Sequence, residues 1–408
     1  MKNNITNCRV CDANISELMS YGKMPIANGF LEETTKEEYF FDLSVGFCES
    51  CYAFQLLQQP EPEQMFHDEY AFFSRQSKSM QLHFKKYADW VMESYINDGD
   101  FVVEIGSNDG IMLENFSKKG FDHLGVDPSA NVVSEALSHG VNSEVMFFGL
   151  ETSSKVKTQY GEAAAIISAN VMCHLPDLDD IAKGAFNLLK DEGVLIFEDP
   201  YLGEMLSKVS YDQIYDEHVF IFSATSVQNI FGRNGFELIN LLPQETHGGS
   251  MRYVLAKKGS RKVEGIVQEI LSQEKKLKFH KIETYEEFRD NCEMSKSQLI
   301  KKLKDFKLQG KTIAGYGATS KSTTILNYCG IDSNLIDFIS DTTPIKQNKY
   351  TPGMHISVKS YEFFQQNIPD VILLFAWNHA KEIIEKEKGN IDKSVEWITH
   401  LPSFEVEI

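Results

Sequence analysis

The 408-residue chain has no apolar run approaching the roughly 20 residues that a membrane-spanning helix requires. It also lacks positive charge: 40 Lys and Arg against 59 Asp and Glu leave a formal charge of −19. Attachment to nucleic acid or acidic membranes needs clustered Lys and Arg. That class of partner is therefore excluded, while a small anionic ligand in a local pocket is not. The N-terminus has no apolar stretch of the secretory kind, which leaves the cytoplasm as the expected compartment. Cysteine is scarce, with seven in all, and in such a compartment the seven do not suggest a disulfide framework. Oligomeric state is left open, and a monomer suffices.

Hydrophobic content of 42% and aromatic content of 12% are enough for real cores, and the length calls for two or three globular units. Four of the cysteines form two C-x-x-C pairs, Cys8/Cys11 and Cys48/Cys51, separated by residues 12–47. Zinc prefers four thiolates in a tetrahedron, and each C-x-x-C turn supplies two. With all four ligands thiolate, no coordination position is left for catalysis. The expectation is a structural zinc organising about 60 residues that are poor in helical periodicity. Cys173, Cys292 and Cys329 are isolated and read as small buried apolar residues.

A second unit begins with helical spacing of Met80, Phe84, Tyr87 and Val91. Then Phe101-Val-Val-Glu-Ile-Gly-Ser-Asn-Asp-Gly110 reads as a short buried strand entering a loop of small residues, with a helix after it. Gly106 and Gly110 let backbone amides approach a ligand. A second strand, His123–Asp127, ends in an acid suited to two ribose hydroxyls. The dinucleotide fingerprint G-x-G-x-x-G is absent; the loop reads E-x-G-x-x-x-G instead. Strand Ala163–Asn170, helix Leu178–Lys190 and strand Gly193–Asp199 follow in alternation.

Chemistry-bearing residues collect beyond this. In Gln213–Phe220, three consecutive ionisable residues, Asp216, Glu217 and His218, sit between apolar neighbours. Histidine is the natural general base near neutrality, and an adjacent carboxylate can orient it. A helix start holding a satisfied His is the bland alternative. His174 follows the strand Ala163–Asn170, at the end where open α/β sheets place ligands. His247-Gly-Gly-Ser-Met-Arg252 puts small residues beside a His and an Arg, which suits a polar ligand or a plain turn.

Val263, Ile266 and Ile270 open a long charged helical stretch to about Lys307, expected to break once. Lys311–Ser320 then repeats the strand-to-loop-to-helix pattern, and Leu335–Asp341 and Asp370–Trp377 supply further strands. Trp377 and His379 close the last of these. Gly315, Gly317 and Asp341 could suggest a nicotinamide site, but Ser320 stands where that fingerprint needs its third glycine. The fold class expected is α/β: a Rossmann-like domain at 75–260 between an N-terminal zinc-binding domain at 1–74 and a smaller α/β domain at 261–408.

The Glu104–Gly110 loop with Asp127 resembles motif I of class I methyltransferases. That implies S-adenosylmethionine as cofactor, with Glu104 near its ammonium group and Asp127 on its ribose. Gly106, Ser107, Asn108, Asp109 and Gly110 would wrap its amino-acid part, with Pro128 and Asn170 nearby. Taken with the cysteine pairs, Tyr215–Phe220, Thr246–Arg252 and Gly315–Thr324, the whole chain resembles the sugar C-methyltransferase family. Its members methylate carbon, typically C3 beside a C4 ketone, on a nucleotide-linked deoxysugar. The resemblance implies His218 as catalytic base, assisted by Glu217 and Tyr215, with His174 as hydrogen-bond donor to an enolate. It also implies that Tyr70, His247, Gly248, Gly249, Ser250 and Arg252 meet the substrate. Gly315, Tyr316, Gly317 and Lys321 would cradle its diphosphate. Phe72 departs from the family pattern, which often has a second Tyr there. Methylation of a sugar oxygen, methylation of a macromolecule guided by the zinc module, and a degenerate binding scaffold are the competing readings.

Overall fold

The computed structural model describes residues 7–35, 37–60, 75, 78–391 and 394–401. Each C-x-x-C pair closes a matching knuckle. The Cys8 carbonyl accepts from Asp12 N and the Cys48 carbonyl from Tyr52 N, at 3.0 and 2.7 Å. Asp12 and Tyr52 take left-handed φ of 59° and 62° to make these turns. The Sγ atoms of Cys8 and Cys51 lie 3.4 Å apart, those of Cys11 and Cys48 3.5 Å. All four fall within 4.8 Å of one another, and all are free thiols. Sulfurs on a tetrahedral zinc with Zn–S of about 2.3 Å stand roughly 3.8 Å apart, so the donor set fits the ion.

The knuckles flank β1 (Glu17–Pro25), β2 (Phe40–Phe47) and β3 (Phe54–Leu56). These three pair antiparallel, and the fourth strand of their sheet comes from far along the chain. It is β9 (Phe220–Ile221), which begins two residues after His218.

The central sheet contains β4 (Phe101–Ile105), β5 (Asp122–Asp127), β6 (Ser143–Val145), β7 (Ala163–Ala169), β8 (Leu189–Pro200), β10 (Phe236–Gln244) and β11 (Ser250–Lys257). Their order is 10-11-8-7-4-5-6. The parallel strands β4, β5, β7 and β8 are buried along nearly their whole length, as strands covered on both faces must be. β11 is antiparallel to both neighbours. The order reverses between β4 and β7, so the ligand crevice lies beyond their C-terminal ends. Strand β8 starts at Leu189, four residues before the sequence expectation. Register shifts between Ala163 and Ala165 absorb the Asp191–Gly193 turn as an irregularity in the ladder.

The long helical stretch breaks once, as expected: Gly265–Lys276, then Ile282–Leu308, with Lys278 left-handed at the break. The third sheet holds β12 (Ile313–Tyr316), β13 (Phe338–Ser340), β14 (Val358–Lys359), β15 (Val371–Leu374) and β16 (Glu396–Ile398). It is parallel throughout in the order 14-13-12-15-16, with its own switch point between β12 and β15. The helix Ser320–Cys329 is capped by Thr319, whose side chain accepts from Ser322 N, and ends on Gly330 at φ 64°. Among the described residues no helix is long and apolar enough to cross a membrane.

The layers interlock. Leu202, Met205, Val209, Tyr211, Ile214 and Ile221 pack in one core with β1–β3 and the C-terminal sheet, not with the central sheet that precedes them.

The knuckle geometry predicts one equivalent of zinc per chain by metal analysis. Cys48→Ser should lose that metal and lower the melting temperature by several degrees, since ligand binding is folding free energy here. Full zinc content in the variant would contradict the assignment.

Candidate active site

Two clusters meet at the C-terminal edge of the central sheet. The first surrounds the loop after β4. Glu104 is 4% exposed, and among the described residues its Oε2 has no partner. Burial, then Asp109 and Asp127, push its carboxyl well above the ordinary range. A buried carboxylate with one unmatched oxygen suits a ligand that carries a cation. Gly106 and Gly110 have φ of 67° and 73°; a Cβ on either would run into Val171 or Val141. Asp127 accepts Asn108 N at 3.0 Å through one oxygen and Ser129 N at 2.9 Å through the other. The Ser129 side chain bonds the same carboxylate, which is held at the end of β5 where a ribose acid would stand. Pro128 and Asn170 are half-buried, Asn170 in a left-handed turn at the end of β7. Ser107 and Asp109, by contrast, are buried at 1% and 0% exposure. Asp109 Oδ2 braces the loop.

Arg75 gave no sequence signal. It clamps the same loop: its backbone N donates to Asp109 Oδ2 at 2.8 Å, Nη2 to Asp109 O at 3.1 Å, and Nη1 pairs with Glu114 at 2.6 Å. Tyr70 and Phe72 lie outside the described residues.

The second cluster joins the first through Val171, which abuts Gly106 and leads into the turn Met172–His174. The rings of His174 and His218 stack with centroids 5.4 Å apart. His218 Nδ1 lies 2.6 Å from the Gln213 carbonyl, and Nε2 lies 2.8 Å from the Tyr215 hydroxyl. A carbonyl can only accept, so Nδ1 carries the proton and Nε2 presents its lone pair. Burial, then His174, holds His218 well below 6.5 despite the Gln213 carbonyl; Lys321 and His247 push the same way. Burial likewise holds His174 at about 4. Both rings are neutral near pH 7.

Neither neighbouring carboxylate orients His218, contrary to the sequence expectation. Asp216 turns to Ala27 N at 3.2 Å and Glu217 accepts from Asn28 Nδ2 at 3.0 Å, both from the N-terminal unit. Burial pushes both carboxyls up, Asp216 to about 8. Asp199, at the end of β8 beside the His174 turn, is likewise pushed up to about 8 by burial.

His247 joins this cluster in a left-handed conformation, with a buried Nε2 that has no partner among the described residues. Its carbonyl accepts from Gln213 Nε2 at 2.6 Å and faces Lys321 Nζ at 3.3 Å. Gly248 and Gly249 have φ of 88° and 128°, and a Cβ on them would strike Trp377 and Glu204. Ser250 is buried and donates to Thr246 O at 3.0 Å.

Three residues expected at the substrate have other work. Arg252 is 4% exposed, paired with Glu198 at 2.7 Å, with its guanidinium 3.7 Å from the centroid of the Tyr87 ring. Its charge is neutralised inside the fold. Tyr316 donates to Glu387 at 2.8 Å within the C-terminal core. Gly315 is small because Phe375 and Ile339 leave no room for a Cβ. Gly317 and Lys321 do stand at the switch-point crevice of the third sheet, at the N-terminus of helix Ser320–Cys329.

Residues 8–66 match a zinc binding domain family, 80–241 a methyltransferase domain, and 245–402 the C-methyltransferase C-terminal domain. The chain is 33% identical over 403 residues to C-methyltransferase NovU of Streptomyces niveus, covering 98% of this chain and 96% of that protein. The chain belongs to the C-methyltransferase family. It is an S-adenosylmethionine-dependent enzyme with a class I methyltransferase fold and an N-terminal zinc-binding domain. A methyltransferase structure from Anabaena variabilis matches 44% of this chain and 86% of its own length at 16% identity and a TM-score of 0.35. Magnesium protoporphyrin IX methyltransferase from Synechocystis matches 44% and 79% at 15% identity and 0.33.

Glu104→Gln should weaken S-adenosylhomocysteine binding roughly 10- to 100-fold, since a charge-assisted bond contributes about 1.5–3 kcal/mol. Arg75→Ala should weaken it less, through the loop. Calorimetric titration checks both, and an unaltered affinity in Glu104→Gln would remove that residue from the cofactor site.

Proposed function

We propose that this C-methyltransferase acts on a nucleotide-linked 4-keto-deoxysugar, at C3, by enolisation on His218. The observation that carries this reading is the His218 ring. It is neutral, fixed by the Gln213 carbonyl at Nδ1, and offers Nε2 beside a hydroxyl and a second imidazole. Carbon methylation requires that a C–H bond give up its proton to a base before carbon can attack, whereas oxygen methylation removes no proton from carbon.

The cofactor, when bound, supplies an electrophilic methyl group. The chain's residues do the rest. The substrate C–H takes the place of the Tyr215 hydroxyl at Nε2, and His218 receives the proton. Tyr215 and the neutral His174 then donate to the developing enolate oxygen, where fixed donors act most strongly. Glu217, held by Asn28, assists from the edge of this group. Lys321, Gly317 and the amides opening helix Ser320–Cys329 suit the diphosphate, with His247, Gly248 and Gly249 forming the opposite wall. The anionic substrate thus meets positive and neutral groups despite the net charge of −19.

In heavy water, a panel of dTDP- and GDP-linked 4-keto-6-deoxysugars should show enzyme-dependent deuterium beside the ketone, and a carbon-bound methyl once cofactor is added. His218→Gln should slow both about 10²- to 10⁴-fold while retaining cofactor binding. Because His218 sits below 6.5, its base form persists through pH 6.5, so the acid limb of exchange should begin only below that value. No exchange on any member of the panel would defeat the reading, as would an acid limb centred above 6.5.

A further inference from the structure

Behind the reacting face lies a carboxylate that the chemistry does not touch. Asp212, 0% exposed, sits in the turn Tyr211–Gln213. Its Oδ2 accepts the Trp377 indole N–H at 2.7 Å, and its Oδ1 faces His400 Nε2 at 3.2 Å. Both partners belong to the C-terminal unit, and Ser295 Oγ fixes the His400 carbonyl at 2.6 Å. Against the burial that would raise it, His400, Lys321 and the indole hold the Asp212 carboxyl below its ordinary range.

The next residue faces the other way. Gln213 reaches into the site twice, with its amide on the His247 carbonyl and its own carbonyl on His218 Nδ1, each at 2.6 Å. Trp377 closes the circle: its ring fills the space where Gly248 lacks a Cβ, and Lys321 Nζ lies 5.2 Å from its centroid. One short turn therefore links the C-terminal crevice to the tautomer of the central histidine.

We propose that Asp212 and Trp377 are positioning residues, which hold the Gln213 carbonyl where it keeps Nδ1 of His218 protonated and Nε2 free. If the carbonyl moves away, the neutral ring can take its proton on Nε2, and the nitrogen beside Tyr215 ceases to be a base. The catalytic consequence rests on the reading of His218 as the base; the tautomer itself does not.

The test uses the full-length, zinc-loaded chain labelled with 15N-histidine. His218→Gln identifies the resonances of that residue. Wild type should show protonated Nδ1 and unprotonated Nε2. Trp377→Phe keeps an aromatic ring against Gly248 and loses only the N–H, so it should fold, bind cofactor normally and yet populate the Nε2-protonated form. Asp212→Asn should do the same more strongly; should it fail to fold, Trp377→Phe decides alone. Deuterium exchange on the keto-sugar that supports it should fall about 10- to 100-fold in kcat with KM within about threefold. That is less than the ~10⁴ lost when a carboxylate touching the histidine itself is changed. An unchanged His218 tautomer in folded Trp377→Phe overturns the proposal. A shifted tautomer, alongside full exchange activity in His218→Gln, would uphold the positioning device and reject His218 as the base.

Discussion

The fold depends on one segment being held from three sides. Residues 211–221 carry the central histidine but have no regular structure beyond a single turn and a two-residue strand. Left alone, such a segment would sample many conformations, at a cost of about 1–2 kcal/mol per residue to fix. The N-terminal unit holds one side: Leu56 N donates to the Val219 carbonyl at 2.8 Å, β3 pairs with β9, and Ala27 and Asn28 take up Asp216 and Glu217. The C-terminal unit holds the other, through Trp377 and His400 on Asp212 and Thr324 Oγ1 on the Ile214 carbonyl at 3.0 Å. The central sheet contributes His174 and the cofactor loop. This gives the zinc a purpose that coordination chemistry alone would not reveal. A closed site of four thiolates cannot take part in the reaction, yet it rigidifies the sheet that carries β9.

Charge is divided along the same line. The cofactor side is acidic, with Glu104, Asp109 and Asp127 buried together, and suits a cation carrying an ammonium and a sulfonium. The opposite wall pairs neutral imidazoles with Lys321 and Lys346, whose ammonium groups burial pulls below their usual range, partly offset by Asp212 and Asp341 respectively. A small anionic group beside them would favour their charged forms. Net charge argued against polyanion partners without disclosing this local reversal.

Much of this was legible in the sequence because it rests on local rules. Cysteine spacing announces a tetrahedral site, glycines at 106 and 110 announce left-handed backbone beneath a ligand, and the run before Asp127 announces a buried parallel strand. What was not legible is contact across the fold. Arg252 looked like an anion ligand because nothing near it in sequence neutralises it, whereas Glu198 does so from the adjoining strand. Tyr316 and Gly315 sit in a ligand-like motif for packing reasons. Asp216 and Glu217 looked like partners of His218 by adjacency, but they sit in a turn, closed by His218 N on the Tyr215 carbonyl, that points them at the N-terminal unit instead. Arg75, Asp212 and Gln213 carried no motif at all. Their importance comes from what lies 34, 165 or five residues away.

The convergence on residues 211–221 is open to direct measurement by amide hydrogen exchange with mass spectrometry, comparing zinc-loaded protein with protein treated with a chelator and a thiol reagent. The account predicts that peptides covering 213–222 lose protection together with those of the knuckles, while β4 and β7 in the central sheet stay protected. Knuckle peptides that open while 213–222 stays fully protected would contradict it, and would leave the zinc-binding unit a mere appendage.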